Sequence, residues 1–184
     1  MGKMRERPGE RMSFVFSRRI GHEQLRGLLS MGEAQYLLRT EAETRVVMKP
    51  VVQLERTGCG IANVAALAGV RYREMQRVAN RLGIVADDPR LWSETGYVRR
   101  LLKEFGIRPA NTEVPFTSWE ALPDLALLAV KWHKERDRVF WHWVVFWRGP
   151  HGPVVFDSKR ALRNHVRTDF GRMKPKWCIP VDPI

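Results

Sequence analysis

Residues 53–67 read QLERTGCGIANVAAL, and they place one cysteine, Cys59, directly before an apolar run. The run 61–68 is rich in alanine and stops at Gly69, so we predict a buried helix that carries the cysteine near its N-terminus. The positive end of the helix dipole and the free N–H groups of the first turn favour a thiolate there. A thiolate is the nucleophilic form of cysteine, so this stretch indicates a chemical role.

The residues around the cysteine support that role. Gly58 and Gly60 flank Cys59, and we expect them to let backbone and substrate approach the sulfur closely. Gln53 lies six residues upstream, where its amide N–H₂ is predicted to donate to an oxyanion beside the cysteine. A cysteine without such neighbours is usually a small buried hydrophobe, which is the interpretation that fits Cys178.

Two β-rich runs downstream contain the partners that a thiolate nucleophile requires. The run 141–146 reads WHWVVF and contains His142, and the run 153–158 reads PVVFDS and contains Asp157. A histidine acts as the base toward a thiol, and a carboxylate orients that histidine. The sequence therefore predicts a triad of Cys59, His142 and Asp157.

Other histidines compete with His142 for the role of base. They lie in the N-terminal part of the chain, before a charged loop, in a predicted turn or in a basic segment, and we expect them to face solvent: His22, His133, His151 and His165. A metal site built from His133, His142 and Asp157 is a weaker alternative, because these residues lack the tight spacing of metal ligands. We predict no metal and no cofactor.

Helical patterns precede β-rich runs along the chain, which predicts an α+β fold with a mostly antiparallel sheet. In this fold the nucleophile opens a helix of the first half, the histidine and aspartate lie on adjacent strands of the second half, and the site lies in the cleft between them. The predicted elements are a strand at 13–16, helices at 23–39, 61–68, 72–82 and 98–105, strands at 125–132, 139–147, 153–156 and 177–181, and a hairpin turn at 149–153.

Length and charge limit the classes of function. A chain of 184 residues is long enough for one domain with one core. The net charge of +12 predicts attraction to acidic partners, nucleic acid or anionic membrane surfaces. No nucleic-acid motif accompanies this charge, so we interpret it as a solvated basic surface rather than a specific nucleic-acid site. The basic residues are denser near the C-terminus: Lys159, Arg160, Arg163, Arg167, Arg172, Lys174 and Lys176.

The start of the chain carries charges but no apolar signal-peptide core, and no apolar stretch is long enough to cross a bilayer. Two cysteines allow at most one disulfide bond. These features predict a cytoplasmic protein, with leaderless export or delivery as an effector left open. The sequence does not indicate an oligomeric state.

The blocks around Cys59, His142 and Asp157 resemble the papain-like cysteine peptidases of the bacteriocin-processing (C39) type. The resemblance covers residues 50–181 and implies a papain-like fold for residues 46–184. It also implies that Cys59 is the nucleophile, His142 the general base, Asp157 the residue that orients the histidine, and Gln53 the oxyanion donor. The implied activity is hydrolysis of a peptide or protein substrate.

The chain departs from the family pattern in several places. Ser158 follows Asp157 where the family often has proline, and these 184 residues contain no transporter-like segment. Residues 1–45 lie outside the resemblance, as a pro-segment, a lid or a partner-binding arm. Two other functions remain open: a glutamine deamidase or acyl transferase with the same triad, and a non-catalytic module that binds a peptide or an acidic partner.

Overall fold

The structure, a computed structural model, describes residues 48–182, which belong to one compact unit. Helices come first in the described part and strands follow, which confirms the predicted α+β class. The predicted strand at 13–16, the predicted helix at 23–39 and the extension 1–45 lie outside the described residues. The helices are α1 (Cys59–Leu67), α2 (Tyr72–Arg81), α3 (Gly96–Glu104) and two short 3₁₀ helices, Pro89–Trp92 and Phe170–Arg172.

The strands form one sheet in which every pairing is antiparallel, in the order β1-β7-β3-β4-β5-β6, with β2 also paired to β7. The four longer strands match the four predicted between 125 and 181, each extended by one to three residues at one or both ends. The strands are β1 (Arg108–Pro109), β2 (Val114–Pro115), β3 (Leu125–Glu135), β4 (Arg138–Gly149), β5 (Gly152–Asp157), β6 (Val166–Arg167) and β7 (Pro175–Asp182).

Helix α1 is buried on all sides, because every residue after Cys59 in it is shielded from solvent. A helix buried in this way is expected to be apolar around its circumference, and α1 is so apart from Asn63, whose amide is hydrogen-bonded. Helices α2 and α3 end shortly before Gly83 and Gly106, whose φ angles of 71° lie in the left-handed region that glycine adopts easily. The predicted helix ends are therefore correct to within one or two residues.

The sheet has an apolar layer on each face. Six successive residues of β3, 125–130, are buried, because their side chains alternate between the two layers. One layer packs against α1 and includes Leu127 and Val145. The other includes Leu128 and Cys178 and is covered by three aromatic side chains, Phe116, Trp119 and Phe170.

The hairpin of β4 and β5 brings the predicted histidine and aspartate together. The strands are joined at Pro150 and His151, within the turn predicted at 149–153. The register of this hairpin pairs Val144 with Asp157. Since side chains two residues apart on a strand share a face, Asp157 lies beside His142.

Candidate active site

Cys59 is the first residue of α1, and Gly58 before it provides no side-chain cap. The backbone N–H groups of Gly60 and Trp143 point to the thiol instead. Burial raises the pKa of the Cys59 thiol, but the hydrogen bond with His142, the imidazolium charge and these two N–H groups together lower the pKa below its ordinary value. The thiolate therefore forms at a lower pH than in an ordinary cysteine.

His142 lies on β4 and links the thiol to Asp157. Its Nε2 atom is 2.7 Å from Oδ1 of Asp157, which leaves Nδ1 as the nitrogen available to Cys59. Burial lowers the pKa of His142, but the hydrogen bonds with Asp157 and Cys59 raise the pKa to about 9. A lowered thiol pKa beside a raised imidazole pKa favours a thiolate–imidazolium pair.

Asp157 ends β5, and its side chain is fully buried. Its Oδ1 accepts hydrogen bonds from His142 and from the backbone N–H of Lys159 at 3.0 Å, and its Oδ2 accepts one from Nη1 of Arg167 at 2.8 Å. Burial raises the pKa of this carboxyl, but these bonds and the His142 charge hold the pKa well below its usual range. The carboxylate stays charged and can orient the imidazole.

Arg167 on β6 belongs to this group although the sequence did not single it out. Its guanidinium donates to Asp157, and its Nε and Nη2 donate to the two carboxylate oxygens of Asp169 at 2.9 and 2.7 Å. The side chain is only 16% exposed, so it is not one of the solvated basic side chains that its sequence context predicted. No local pattern marks it, because the contact depends on the pairing of β5 with β6.

The structure gives Gln53 a different set of contacts from the predicted ones. Its Nε2 donates to the backbone carbonyls of Glu55 and Arg56 at 2.9 and 3.0 Å, and its Oε1 accepts from Oγ of Ser158 at 3.1 Å. The backbone N–H of Gln53 also donates to the carbonyl of Ser158. Both amide hydrogens are thus used within the loop that leads to Cys59, and an oxyanion role requires at least one of these bonds to be exchanged.

Asn63 is a second residue that the sequence did not single out. It lies one turn after Cys59 on α1, and its Nδ2 donates to the backbone carbonyls of Cys59 at 2.8 Å and Trp143 at 2.7 Å. Oγ of Ser158 lies 3.3 Å from the same nitrogen. Trp143 follows His142 and Ser158 follows Asp157, so this one amide connects the helix that carries Cys59 to the strands that carry His142 and Asp157.

The two glycines around Cys59 have a packing role. A Cβ atom on Gly58 would overlap the hydroxyl of Tyr72, and one on Gly60 would overlap that of Tyr97. The sequence predicted that these glycines allow a close approach to the sulfur. The structure shows a second reason for them, because a larger residue at either position would collide with a tyrosine. The aromatic rings that impose it come from α2 and α3, which the local sequence does not reveal.

The competing histidines lie apart from the triad or touch it only through the backbone. His133 is exposed, and its Nδ1 is 2.9 Å from the carbonyl of Lys131. His151 is exposed in the hairpin turn. His165 is partly buried, and its Nδ1 lies 2.8 Å from the backbone carbonyl of Asp157. His22 lies outside the described residues.

The second cysteine, Cys178, lies away from this site. Cys178 is buried in the apolar layer opposite α1, where burial raises the pKa of its thiol. This environment disfavours the thiolate, in contrast to that of Cys59.

Among residues 48–182, no group of three or more side chains of histidine, cysteine, aspartate or glutamate is arranged to hold a metal ion.

Tryptophans pack under the strand that carries His142. Trp141, Trp143 and Trp177 meet edge to face with ring centroids 5.2–6.0 Å apart, and Trp143 is almost fully buried. This cluster supports β4 on both sides of His142. Trp132 differs from these three tryptophans, since it is 40% exposed and lies under the ammonium group of Lys176.

No protein-family model matches the chain, and no curated protein matches it significantly. The family resemblance therefore depends on the residues themselves. None of the described helices is both long and apolar enough to cross a membrane.

Proposed function

We propose that this chain is a papain-like thiol peptidase of the bacteriocin-processing type, with Cys59, His142 and Asp157 as its triad. One observation carries the proposal: Nε2 of His142 lies 2.7 Å from Oδ1 of the buried Asp157, and the same imidazole is close enough to the Cys59 thiol that each shifts the pKa of the other. A nucleophile at a helix start, packed on an antiparallel sheet that carries its base and carboxylate on adjacent strands, is also the arrangement that the resemblance implies.

In the first step the Cys59 thiolate attacks the carbonyl carbon of the scissile peptide bond. The carbon–sulfur bond forms and the carbonyl oxygen becomes an oxyanion. The His142 imidazolium then gives its Nδ1 proton to the leaving nitrogen as the carbon–nitrogen bond breaks. The products of this step are a free amine, a neutral imidazole and a thioester on Cys59.

In the second step His142 takes a proton from water, and the resulting hydroxide attacks the thioester carbon. The carbon–sulfur bond breaks, the acid product leaves, and the thiolate–imidazolium pair is restored. Asp157 keeps the imidazole oriented through both steps and stabilises its charged form.

The oxyanion requires hydrogen-bond donors at the start of α1. The backbone N–H of Cys59 is one of the first N–H groups of the helix, which have no acceptor within the helix. It supplies one donor. Both amide hydrogens of Gln53 are bonded to loop carbonyls in the free protein. Gln53 therefore supplies the second donor only if one of these hydrogens leaves its carbonyl and bonds to the oxyanion when substrate binds.

Mass spectrometry of a peptide library incubated with the full chain tests this proposal. We expect cleavage products from the wild type and none from Cys59→Ala or His142→Ala. Cys178→Ala is the matched control and should retain cleavage, because its thiol lies in the apolar layer. Cleavage that persists in Cys59→Ala, or no cleavage of any peptide, contradicts the proposal.

The same spectra separate the competing reactions. Peptide hydrolysis gives two fragments, deamidation raises the mass of an intact glutamine peptide by about one dalton, and acyl transfer joins the acyl fragment to an added amine. Products of the last two kinds without fragments would assign the triad to a deamidase or a transferase.

A further inference from the structure

Lys131 stands beside the triad at an irregular position of β3. The residue before it, Val130, pairs directly with His142, and the register of β3 with β4 shifts between Val130 and His133. The φ angle of Lys131 is 56°, which is uncommon for a residue other than glycine. The register shift marks a β-bulge at Lys131, and the bond between the Lys131 carbonyl and Nδ1 of His133 stabilises it. A bulge interrupts the regular alternation of side chains along a strand, so the Lys131 side chain is re-aimed.

Lys159 lies beside Asp157, as Lys131 lies beside His142. It follows Asp157 by two residues, and its backbone N–H donates to Oδ1 of Asp157, the oxygen that also binds His142. Its side chain is exposed and lies next to that of Lys131. Lys131 therefore follows the residue that pairs with His142, and the backbone of Lys159 contacts Asp157 directly.

The Asp157 carboxylate attracts the ammonium group of Lys131, but Asp157 already pairs with His142 and Arg167. Among the described residues neither lysine forms an ion pair, and the neighbouring Arg167 is already shared between Asp157 and Asp169. Burial lowers the pKa of Lys131, and the charge of Lys159 lowers it further. Two adjacent like charges repel each other, so an anion placed between them would be stabilised.

We propose that Lys131 and Lys159 form a subsite for a carboxylate of the substrate, on the leaving-group side of the scissile bond. This inference depends on the proposed peptidase function. His142 gives its proton to the leaving nitrogen, so the leaving part of the peptide passes over His142, where the lysines lie. The carboxylate is an Asp or Glu side chain or the free C-terminus of a short leaving segment. The net charge of +12 would attract such acidic substrates.

Four matched peptides test the subsite. They share the residues before a scissile bond found in the library and end, on the leaving side, in Glu-amide, Gln-amide, Ala with a free carboxylate or Ala-amide. We expect kcat/KM to be at least about tenfold higher for an acidic peptide than for its neutral partner, as for a hydrogen bond between charged groups. The Glu and free-acid arms tell a side-chain carboxylate from a terminal one.

The variant that removes the subsite is Lys131→Asn combined with Lys159→Met, because asparagine tolerates a positive φ angle. It should reduce the acidic-to-neutral ratio to near one. Arg136→Asn is the matched control for a positive φ, and Lys103→Met is the control for loss of an exposed lysine. Both controls should keep the ratio of the wild type. Thermal unfolding of each variant shows that it is folded.

The possible failures are distinguishable. Equal kcat/KM for acidic and neutral peptides, or a preference that survives in the Lys131 and Lys159 double variant, overturns the subsite while cleavage itself upholds the peptidase. No cleavage of any library peptide overturns both proposals. If the Lys103 or Arg136 control also loses the preference for acidic peptides, the preference comes from the net charge of the protein and not from the two lysines. That result overturns the subsite.

Discussion

The side chain of Asn63 donates a 2.7 Å hydrogen bond to the backbone carbonyl of Trp143, eighty residues further along the chain. This bond fixes the start of α1 against the strand that carries His142. Because the amide also binds the carbonyl of Cys59, the distance between Cys59 and His142 depends on it.

Replacing Asn63 by alanine should therefore reduce both stability and turnover. The change leaves buried acceptors without a donor, which lowers the free energy of unfolding by about 1–3 kcal/mol. Urea unfolding and peptide cleavage measure the two effects. Asn80→Ala, an exposed asparagine on α2, is the matched control and should change neither. A fully active, equally stable Asn63→Ala protein would show that the bond does not position the site.

The contact between Gly58 and Tyr72 allows a test by suppression. Gly58→Ala should destabilise the protein by about 1–3 kcal/mol, because the new methyl group overlaps the Tyr72 hydroxyl. Adding Tyr72→Phe should recover part of that loss in a double-mutant cycle of unfolding free energies. Gly96→Ala is the control, since a Cβ there has no neighbour within 4 Å. Strictly additive effects of the two changes would contradict the packing explanation.

Arg167→Gln should destabilise the protein by about 3 kcal/mol at neutral pH, because it leaves one oxygen of the buried Asp157 carboxylate unpaired. The depressed pKa of Asp157 contributes stability above the ordinary carboxyl pKa of about 3.9, and this contribution is lost as the pH falls toward the folded pKa. The stability difference between wild type and variant should therefore shrink below about pH 4.

Urea unfolding at neutral and acidic pH measures the difference. Asp169→Asn is the matched control, because Arg167 then keeps its bond to Asp157, and its effect should be smaller. A loss for Arg167→Gln no larger than that for Asp169→Asn would mean that Arg167 contributes only through its exposed contact.

The helices and long strands were predictable because their signals are local. Gly83 and Gly106 mark helix ends, and runs of β-branched and aromatic residues on either side of a turn signal mark β4 and β5. The order of a cysteine before a helix, a histidine in one β run and an aspartate ending the next predicted the residues that the structure brings together at Cys59.

The remaining features depend on contacts between distant parts of the chain. Asn63 and Arg167 resemble ordinary polar residues in sequence, and only the packing of α1 on β4 and of β6 on β5 gives them their partners. The two-residue strands β1, β2 and β6 exist because a neighbouring strand pairs with them. The amide of Gln53 is satisfied by carbonyls of its own loop, a geometry that residue spacing does not specify.

The pH dependence of cleavage should report the raised pKa of His142. The imidazolium must be present to protonate the leaving group, so kcat/KM should fall as the pH rises through about 9. Asp157→Asn removes a hydrogen bond and a charge that raise this pKa, so the alkaline limb should move toward about 6.5, the ordinary value for histidine. An alkaline limb that stays in place in the variant would show that another group controls it.

The rate of alkylation of Cys59 by iodoacetamide, followed by peptide mapping from pH 4 to pH 10, tests the central claim most directly. The account predicts that Cys59 reacts much faster than Cys178 at neutral pH, with a midpoint below the ordinary value for a thiol. It further predicts that His142→Ala returns the Cys59 midpoint toward the ordinary value. A wild-type Cys59 that titrates like a free thiol and reacts no faster than Cys178 would contradict the assignment of a thiolate–imidazolium pair.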